Sequence, residues 1–352
     1  MKILVGLSGG FDSAYTAMLL RDAGHTVEGA VLDMHCYTEV DEAKKTAESL
    51  GIPFHTISCR DLFEREVIED FCDAYSKAQT PNPCIVCNEK VKFRALYDYA
   101  VAHEFDKIAT GHYARIVESD GCISVAMAAD LSKDQSYMLY RLPAEILKML
   151  LLPMGNIIKK EAKSEGKRQL LVAAEREESQ DICFVKGESH ADYIERRRGA
   201  YPEGNFVNQE GELLGQHSGI IRYTVGQRKG LGVSGKTRLF IREIDPEANR
   251  IVLSDHAPRC NSFYLRDVVF SGLTRETALT SDRLMVRVRY TSPLVSARLS
   301  LEEERLKVTF SDEIGCTVSP GQSAVFYFED RVACGGIIDS ASISANSWHL
   351  KA

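Results

Sequence analysis

Two periodicities alternate along the first hundred residues, and this alternation constrains the fold more than any other feature of the chain. KILVGL (2–7) has the unbroken apolar character of a strand buried on both faces. It runs through SGGFDS into a helical spacing, with Ala14, Tyr15, Met18 and Leu19 on one side and Gly24 as a stop. The alternation then repeats. TVEGAVLDM (26–34) reads as a second strand, EVDEAKKTAESLG (39–51) as a helix ending in glycine, and PFHTIS (53–58) as a third strand. DLFEREVIEDFCDAYSKA (61–78) sets Ile68, Phe71, Cys72 and Tyr75 at the i, i+3, i+4, i+7 spacing of an amphipathic helix. A loop, QTPNPCIVCN (79–88), precedes a further helix over 89–105 and a strand in KIATGHY (107–113). Such an order predicts an α/β fold built on a doubly wound parallel sheet. Ligands of these sheets sit beyond the carboxyl ends of the strands, where Ser8–Ser13 and Thr110–Tyr113 both fall.

The character changes near residue 195. The stretch 193–219 is polar, glycine-rich and turn-like, and from about 218 short β-type runs take over: IIRYTV, RLFIREI, RIVLS, DRLMVRVRYTS, RLKVTF, QSAVFYFE and VACGGII. Their spacing predicts a small β-barrel near the C-terminus. The expected units are a catalytic domain over 1–195, a small central domain over 196–262 and a barrel over 263–352. No apolar run approaches the roughly 18 residues of a membrane span, and strand-like residues from Lys2 leave no room for a leader, so a cytosolic protein is expected. Ten cysteines in that compartment are then mostly reduced thiols. A net charge of −7 speaks against a general nucleic-acid binder, but not against a local basic footprint such as ERRRG (195–199) or GQRKG (226–230).

SGGFDS lies where a phosphate would be held: backbone amides, a helix N-terminus and two hydroxyls, Ser8 and Ser13, converge there. The glycine spacing is not G-x-G-x-x-G, and there is no Walker lysine. Asp12 is the odd residue, since a carboxylate repels phosphates unless it holds Mg²⁺ or fixes the loop internally. Gly230–Thr237 matches G-x-x-x-x-G-K-[ST] letter for letter, yet the alternating RLFIREIDP follows it where a phosphate-binding helix is required, so a hairpin or glycine-rich loop is expected.

SGGFDS after a strand resembles the pyrophosphate loop of the PP-loop ATP pyrophosphatases, a HUP-like fold whose members adenylate a carbonyl oxygen. With TPNPCIVCN, SQDICF, ATGHYAR, KDQSYMLY, GQRKGLG and PGQSAVFY in the same order, the chain closely resembles the tRNA-specific 2-thiouridylases from Lys2 to about Ile338. The resemblance implies ATP-dependent sulfuration of the wobble uridine of tRNA. Attack of O2 on the α-phosphate turns a poor leaving group into AMP, and a cysteine persulfide then delivers sulfur while a second thiol takes up the carrier sulfur as a transient disulfide. By resemblance Cys183 carries the persulfide and Cys87 is the partner nucleophile. Gly6, Leu7, Ser8, Gly9, Gly10, Phe11, Asp12 and Ser13 cradle ATP, with Asp12 as an Mg²⁺ ligand, and Leu32 (methionine in most of the family) and Gly111 flank the adenosine. Asn82, Pro83 and Cys84 face the target base. Lys133, Asp134, Gln135, His112, Arg289, Tyr290 and Gln322 match positions on the tRNA side.

Cys84 departs from family members that carry aspartate there, which puts an acid–base role at this position in doubt. Cys84, Cys87 and Cys183 could alternatively ligate a [4Fe–4S] cluster. The implied partners are tRNAs for Lys, Glu and Gln and a cysteine desulfurase or sulfur-relay protein as sulfur donor. Two competing readings are an ATP-dependent amide-forming synthetase, which leaves Cys87, Cys183 and the β module without a task, and a non-catalytic RNA- or sulfur-carrier-binding protein.

Overall fold

The computed structural model describes residues 1–119, 121–168, 182–233, 238–311 and 315–339. Its first unit is the parallel sheet that the alternation predicts. β1 (Lys2–Gly6) is flanked by β2 (Thr26–Asp33) and β4 (Lys107–Ala109), with β3 (Phe54–Ser58) beyond β2 and a two-residue strand, Leu150–Leu151, beyond β4. All four pairings are parallel. The strand order reverses between β1 and β4, which opens a crevice at their carboxyl ends. Ile3, Leu4 and Val5 are fully buried, as a strand covered on both faces requires. α1 (Phe11–Asp22) and α2 (Val40–Leu50) cover one face.

The helical segments leading to β4 are more irregular than their periodicity predicts. Arg60–Ser76 contains a π-helical stretch over Glu64–Ile68, and the next helix contains one over Asn88–Lys92. The residues read as a loop before that helix are themselves helical from Pro83, because proline at the first helical position needs no N–H partner and its φ is already helical.

Helix His190–Arg198 and a four-stranded sheet (Gly204–Val207, Leu213–His217, Phe240–Asp245, Arg250–Ser254) form the central unit. The helix and the first two of those strands lie in the stretch expected to be turns. IIRYTV, expected to be extended, instead begins with a 3₁₀ turn over Ile220–Arg222 that buries Ile220 and Ile221. Phe240–Asp245 is a strand and not a phosphate-binding helix; Ser234–Thr237 of the Walker-like stretch lie outside the described residues.

Six C-terminal strands close into a barrel, since Ser262–Phe270 pairs with both Arg305–Phe310 and Arg331–Ile338. A hairpin of the first unit, Arg115–Ser119 and Cys122–Ala126, extends the barrel sheet through an Ala126–Arg331 pairing. The seam between the two units is a buried polar network. Tyr137 donates to the Ser323 carbonyl at 2.8 Å, Tyr140 meets Ser323 Oγ at 3.1 Å, and Ser136 meets the Tyr327 hydroxyl at 3.1 Å. No helix among the described residues is long and apolar enough to cross a membrane.

Candidate active site

The loop after β1 is shaped mainly by its own hydroxyls. The Ser8 N–H donates to Ser13 Oγ at 3.2 Å, Gly10 N–H reaches Ser8 Oγ at 3.4 Å, and Ser13 Oγ donates to the Gly10 carbonyl at 3.0 Å. Leu7 N–H bonds to the Ala30 carbonyl at 2.7 Å, tying the loop to β2. Gly10 then leads directly into α1, so the turn ends at a helix N-terminus, an arrangement suited to an anion. Phe11 is buried and stacked on Tyr15, which fixes the first helical turn. Leu32 is buried in the core at the carboxyl end of β2.

Across the crevice, Gly111 sits against this loop. A Cβ built there would lie 2.6–2.8 Å from backbone atoms of Asp12 and Ser13, so only glycine lets the segment after β4 approach so closely. Two residues on, the Tyr113 hydroxyl donates to Asp12 Oδ1 at 3.0 Å. Lys159 Nζ, at the start of helix Lys159–Arg168, reaches Asp12 Oδ2 at 2.9 Å. The Lys159 side chain is 8% exposed and that of Asp12 31%. Asp12 is therefore a lysine-neutralised carboxylate, paired with a distant cation where the sequence suggested either Mg²⁺ or a bond within the loop. Lys159 supplies the cation missing from the loop, and no spacing within the loop points to it.

The second half of the site is a group of three thiols. Cys84 and Cys87 lie one helical turn apart on Pro83–Cys87, preceded by Asn82 at the N-cap position. Cys183 lies in a turn closed by Val185 N–H on the Ile182 carbonyl, and Phe184 beside it is locked into an aromatic cluster with Phe63, Phe71 and Tyr193. Ser179–Asp181 of the same motif lie outside the described residues. Cys84 and Cys183 are solvent-accessible whereas Cys87 is buried, its thiol 3.8 Å from the Met34 sulfur.

The three thiols are close enough to perturb one another. Burial, opposed by Lys92 and reinforced by Cys183 and Cys84, pushes Cys87 up to about 12. Cys183 is raised by burial and by Cys84, while Lys92 and the N–H groups of Cys183 and Phe184 draw it down. Cys84 is raised by burial and lowered by Lys92. Lys92 also acts on His112, which burial drives down to about 3, so its imidazole is neutral at physiological pH. One lysine thus faces all three sulfurs and the histidine, from the end of the π segment after Cys87.

Family models cover almost all of the described chain. One described as the tRNA methyl transferase HUP domain matches residues 1–187, one described as the tRNA methyl transferase PRC-barrel domain matches 191–255, and one described as the aminomethyltransferase beta-barrel domain matches 261–338. A tRNA-specific 2-thiouridylase of Clostridium tetani is 37% identical over 97% of this chain and 98% of its own. One of Acetivibrio thermocellus is 36% identical over 96% and 99%. The chain belongs to the tRNA-specific 2-thiouridylases. A solved 4-thiouridine synthetase–RNA complex with bound ATP overlays with a TM-score of 0.38 at 15% identity, covering 56% of this chain and 50% of that one, a likeness too slight to argue from.

Within this thiouridylase the residues expected on the tRNA side divide into two groups. Tyr290, from the barrel, lies near enough to Cys84 to feel its charge: its ring is 6.0 Å from Tyr137, and its hydroxyl is raised by burial, by Asp134 and by Cys84. His112 lies between Phe93 and Thr110, with Nδ1 2.8 Å from Thr110 Oγ1. The others brace the protein. Asp134 is buried and salt-bridged to Arg287 at 3.2 Å, and Gln135 Oε1 accepts from Tyr113 N–H at 2.9 Å, leaving Lys133 half-buried. Gln322 Nε2 donates to the Thr80 and Pro81 carbonyls at 2.8 and 3.3 Å, and Arg289 holds the Val225 carbonyl at 3.0 Å and Ser319 Oγ. The arginines of ERRRG are also engaged internally: Arg196 with Glu188, Arg197 with Glu64 and Glu69, and Arg198 with Glu69 and Asp73.

Both Asp12 oxygens are engaged, Oδ1 by Tyr113 and Oδ2 by Lys159, so a Mg²⁺ ion would find one protein carboxylate here and only after displacing one of these partners, with its other ligands drawn from phosphates and water. Among the described residues no group of three or more His, Cys, Asp or Glu side chains is arranged to hold a metal ion.

Proposed function

We propose that the chain uses ATP to activate the C2 carbonyl of a tRNA wobble uridine and replaces its oxygen with sulfur carried on Cys183. The observation that carries this reading is that Cys87 and Cys183, nearly a hundred residues apart in sequence, lie near enough for Cys183 to act on the Cys87 thiol and for Lys92 to act on both. The names of its relatives specify tRNA and 2-thiouridylation, and the exchange requires two thiols and a nucleotide site.

In this scheme Gly6–Ser13 and the N-terminus of α1 hold the phosphates, and Leu32 and Gly111 border the adenosine. Mg²⁺ arriving with ATP would be held by Asp12 and would neutralise phosphate charge. Lys159, now on Asp12, is positioned to turn its charge toward the departing pyrophosphate. Uridine O2 bonds to the α-phosphorus as pyrophosphate leaves. The terminal sulfur of the Cys183 persulfide bonds to C2 and AMP departs. Cys87 then attacks Cys183 Sγ, breaking the S–S bond to the base, so that 2-thiouridine leaves and a Cys87–Cys183 disulfide remains. Exposure of Cys183 suits loading by an external donor, such as a desulfurase or relay protein, while the buried Cys87 is held back for the last step.

Asn82, Pro83, Cys84, neutral His112 and Tyr290 form the wall against which an unstacked base would lie. Lys133, Gln135, Asp134, Arg289 and Gln322 serve the tRNA side chiefly by fixing that wall. The substrates would be the tRNAs for Lys, Glu and Gln.

The test is nucleoside mass analysis after incubation of unmodified tRNA with ATP, Mg²⁺, a cysteine desulfurase with cysteine as the source of sulfane sulfur, and dithiothreitol to reopen the disulfide. Wild type yields 2-thiouridine with stoichiometric AMP and pyrophosphate. Cys183→Ser releases pyrophosphate but forms no thiolated base, and thiolation at the wild-type rate by that variant would overturn the persulfide assignment.

A further inference from the structure

Away from these three thiols, Cys260 and Cys316 face each other across an antiparallel β-bridge. Their backbones exchange both hydrogen bonds, Cys260 N–H to the Cys316 carbonyl at 3.0 Å and Cys316 N–H to the Cys260 carbonyl at 3.2 Å. Residues paired this way have Cα atoms about 5.5 Å apart and side chains on the same face, within the span that a disulfide bridges. The approach is built in: a Cβ on Gly315, which has a φ of +62°, would fall 2.1 Å from the Cys260 carbonyl oxygen, and Thr317 Oγ1 holds the Pro258 carbonyl on the other side. Cys260 is buried and Cys316 half-buried, so Cys316 is the more exposed of the pair.

The location ties this pair to the catalytic unit. Cys260 immediately precedes the barrel, and Cys316 begins a strap whose later residues hold the stretch before the catalytic helix. Along the strap Ser319 binds the Val225 carbonyl at 3.0 Å, the Pro320 carbonyl accepts Thr80 N–H at 2.8 Å, and Gln322 holds the carbonyls of Thr80 and Pro81. Thr80 and Pro81 lead directly into Asn82 and the helix of Cys84 and Cys87.

We propose that Cys260 and Cys316 form a redox-sensitive latch, closed by a low-molecular-weight disulfide and reopened by a thiol. The Cys316 thiolate attacks the small disulfide, whose S–S bond breaks and expels one small thiolate. Cys260 then loses its proton to that thiolate and attacks the Cys316 sulfur, expelling the second small thiol. The two protein thiols are oxidised by two electrons and the small disulfide is reduced to two thiols. Burial and the neighbouring Cys316 push Cys260 up to about 12, so Cys316 reacts first. Closing the latch pins the strap to the barrel entrance and stiffens the segment before the catalytic cysteines.

The full-length native protein is incubated with oxidised glutathione, alkylated and mapped by mass spectrometry. The expected result is a linked peptide pair containing Cys260 and Cys316, lost on treatment with dithiothreitol, together with slower amide exchange at Thr80. Cys260→Ser retains a glutathione adduct at Cys316, and Cys316→Ser leaves Cys260 unmodified. Wild type that accumulates glutathione on Cys316 with Cys260 still free, or that leaves both residues unmodified while its exposed Cys36 reacts, would overturn the proposal. The wild-type map is decisive even if a variant fails to fold.

Discussion

Cys183 is accessible and Cys87 buried, so in the proposed reaction the two thiols start from different chemical states. Both titrate above the ordinary thiol range, so their thiolate fractions and alkylation rates rise as pH rises. In limited alkylation with iodoacetamide, Cys183 is modified first and Cys87 stays protected; the reverse order, read by peptide mapping, would contradict this arrangement. Lys92 is the cation that draws both down, and Lys92→Met slows alkylation of Cys183 about tenfold for each pK unit lost. An unchanged rate would remove Lys92 from the site. His112, held near 3, stays neutral, so its ring resonances show no titration between about pH 5 and 8, where an unperturbed histidine would titrate. Lys159→Met leaves the Asp12 charge without its cation beside the proposed phosphate site. Pyrophosphate release falls about 10–100-fold, the size expected of a charge-assisted contact, with secondary structure retained by circular dichroism. A wild-type rate would mean that Lys159 only braces the loop.

Among the elements, the segment after β4 and the loop after β1 work as one unit because Gly111 allows backbone contact between them. Gly111→Ala forces them apart by several tenths of an ångström, moving Tyr113 off Asp12. ATP affinity drops more than about tenfold, measured by calorimetry, while the melting temperature shifts little because the strands themselves keep their pairings. Equal losses of affinity and global stability would instead make Gly111 a packing residue. The π segment after Cys87 has a comparable task. An extra residue in one helical turn rotates the turns beyond it, and this one brings the Lys92 N–H and side chain toward Cys87.

At the level of the molecule, the barrel completes the catalytic unit through Gln322 on Thr80 and Pro81, Arg287 on Asp134, and the tyrosine seam. Asp134→Ala leaves Arg287 without its buried partner and destabilises the fold by about 3–5 kcal/mol, seen as a lowered denaturation midpoint. Arg197 and Arg198 of ERRRG face acidic partners on the Glu64–Asp73 stretch, so Arg197→Ala leaves the salt dependence of tRNA binding unchanged. A slope lowered by about one would restore it as a phosphate contact.

The alternation of apolar runs and helical spacings was enough to specify a parallel sheet, because its periods follow from backbone geometry and are written locally in the chain. SGGFDS raised the expectation of an anion site for the same reason: glycine, hydroxyl and helix start are adjacent residues. The partners that give the site its chemistry are not adjacent. Lys159 meets Asp12 across 147 positions, Lys92 gathers sulfurs from two distant segments, and Asp134, placed on the tRNA side by resemblance, is buried under an arginine of the barrel. Charges act through space, so which carboxylate is neutralised and which thiol is raised depends on distances that the folded chain alone creates.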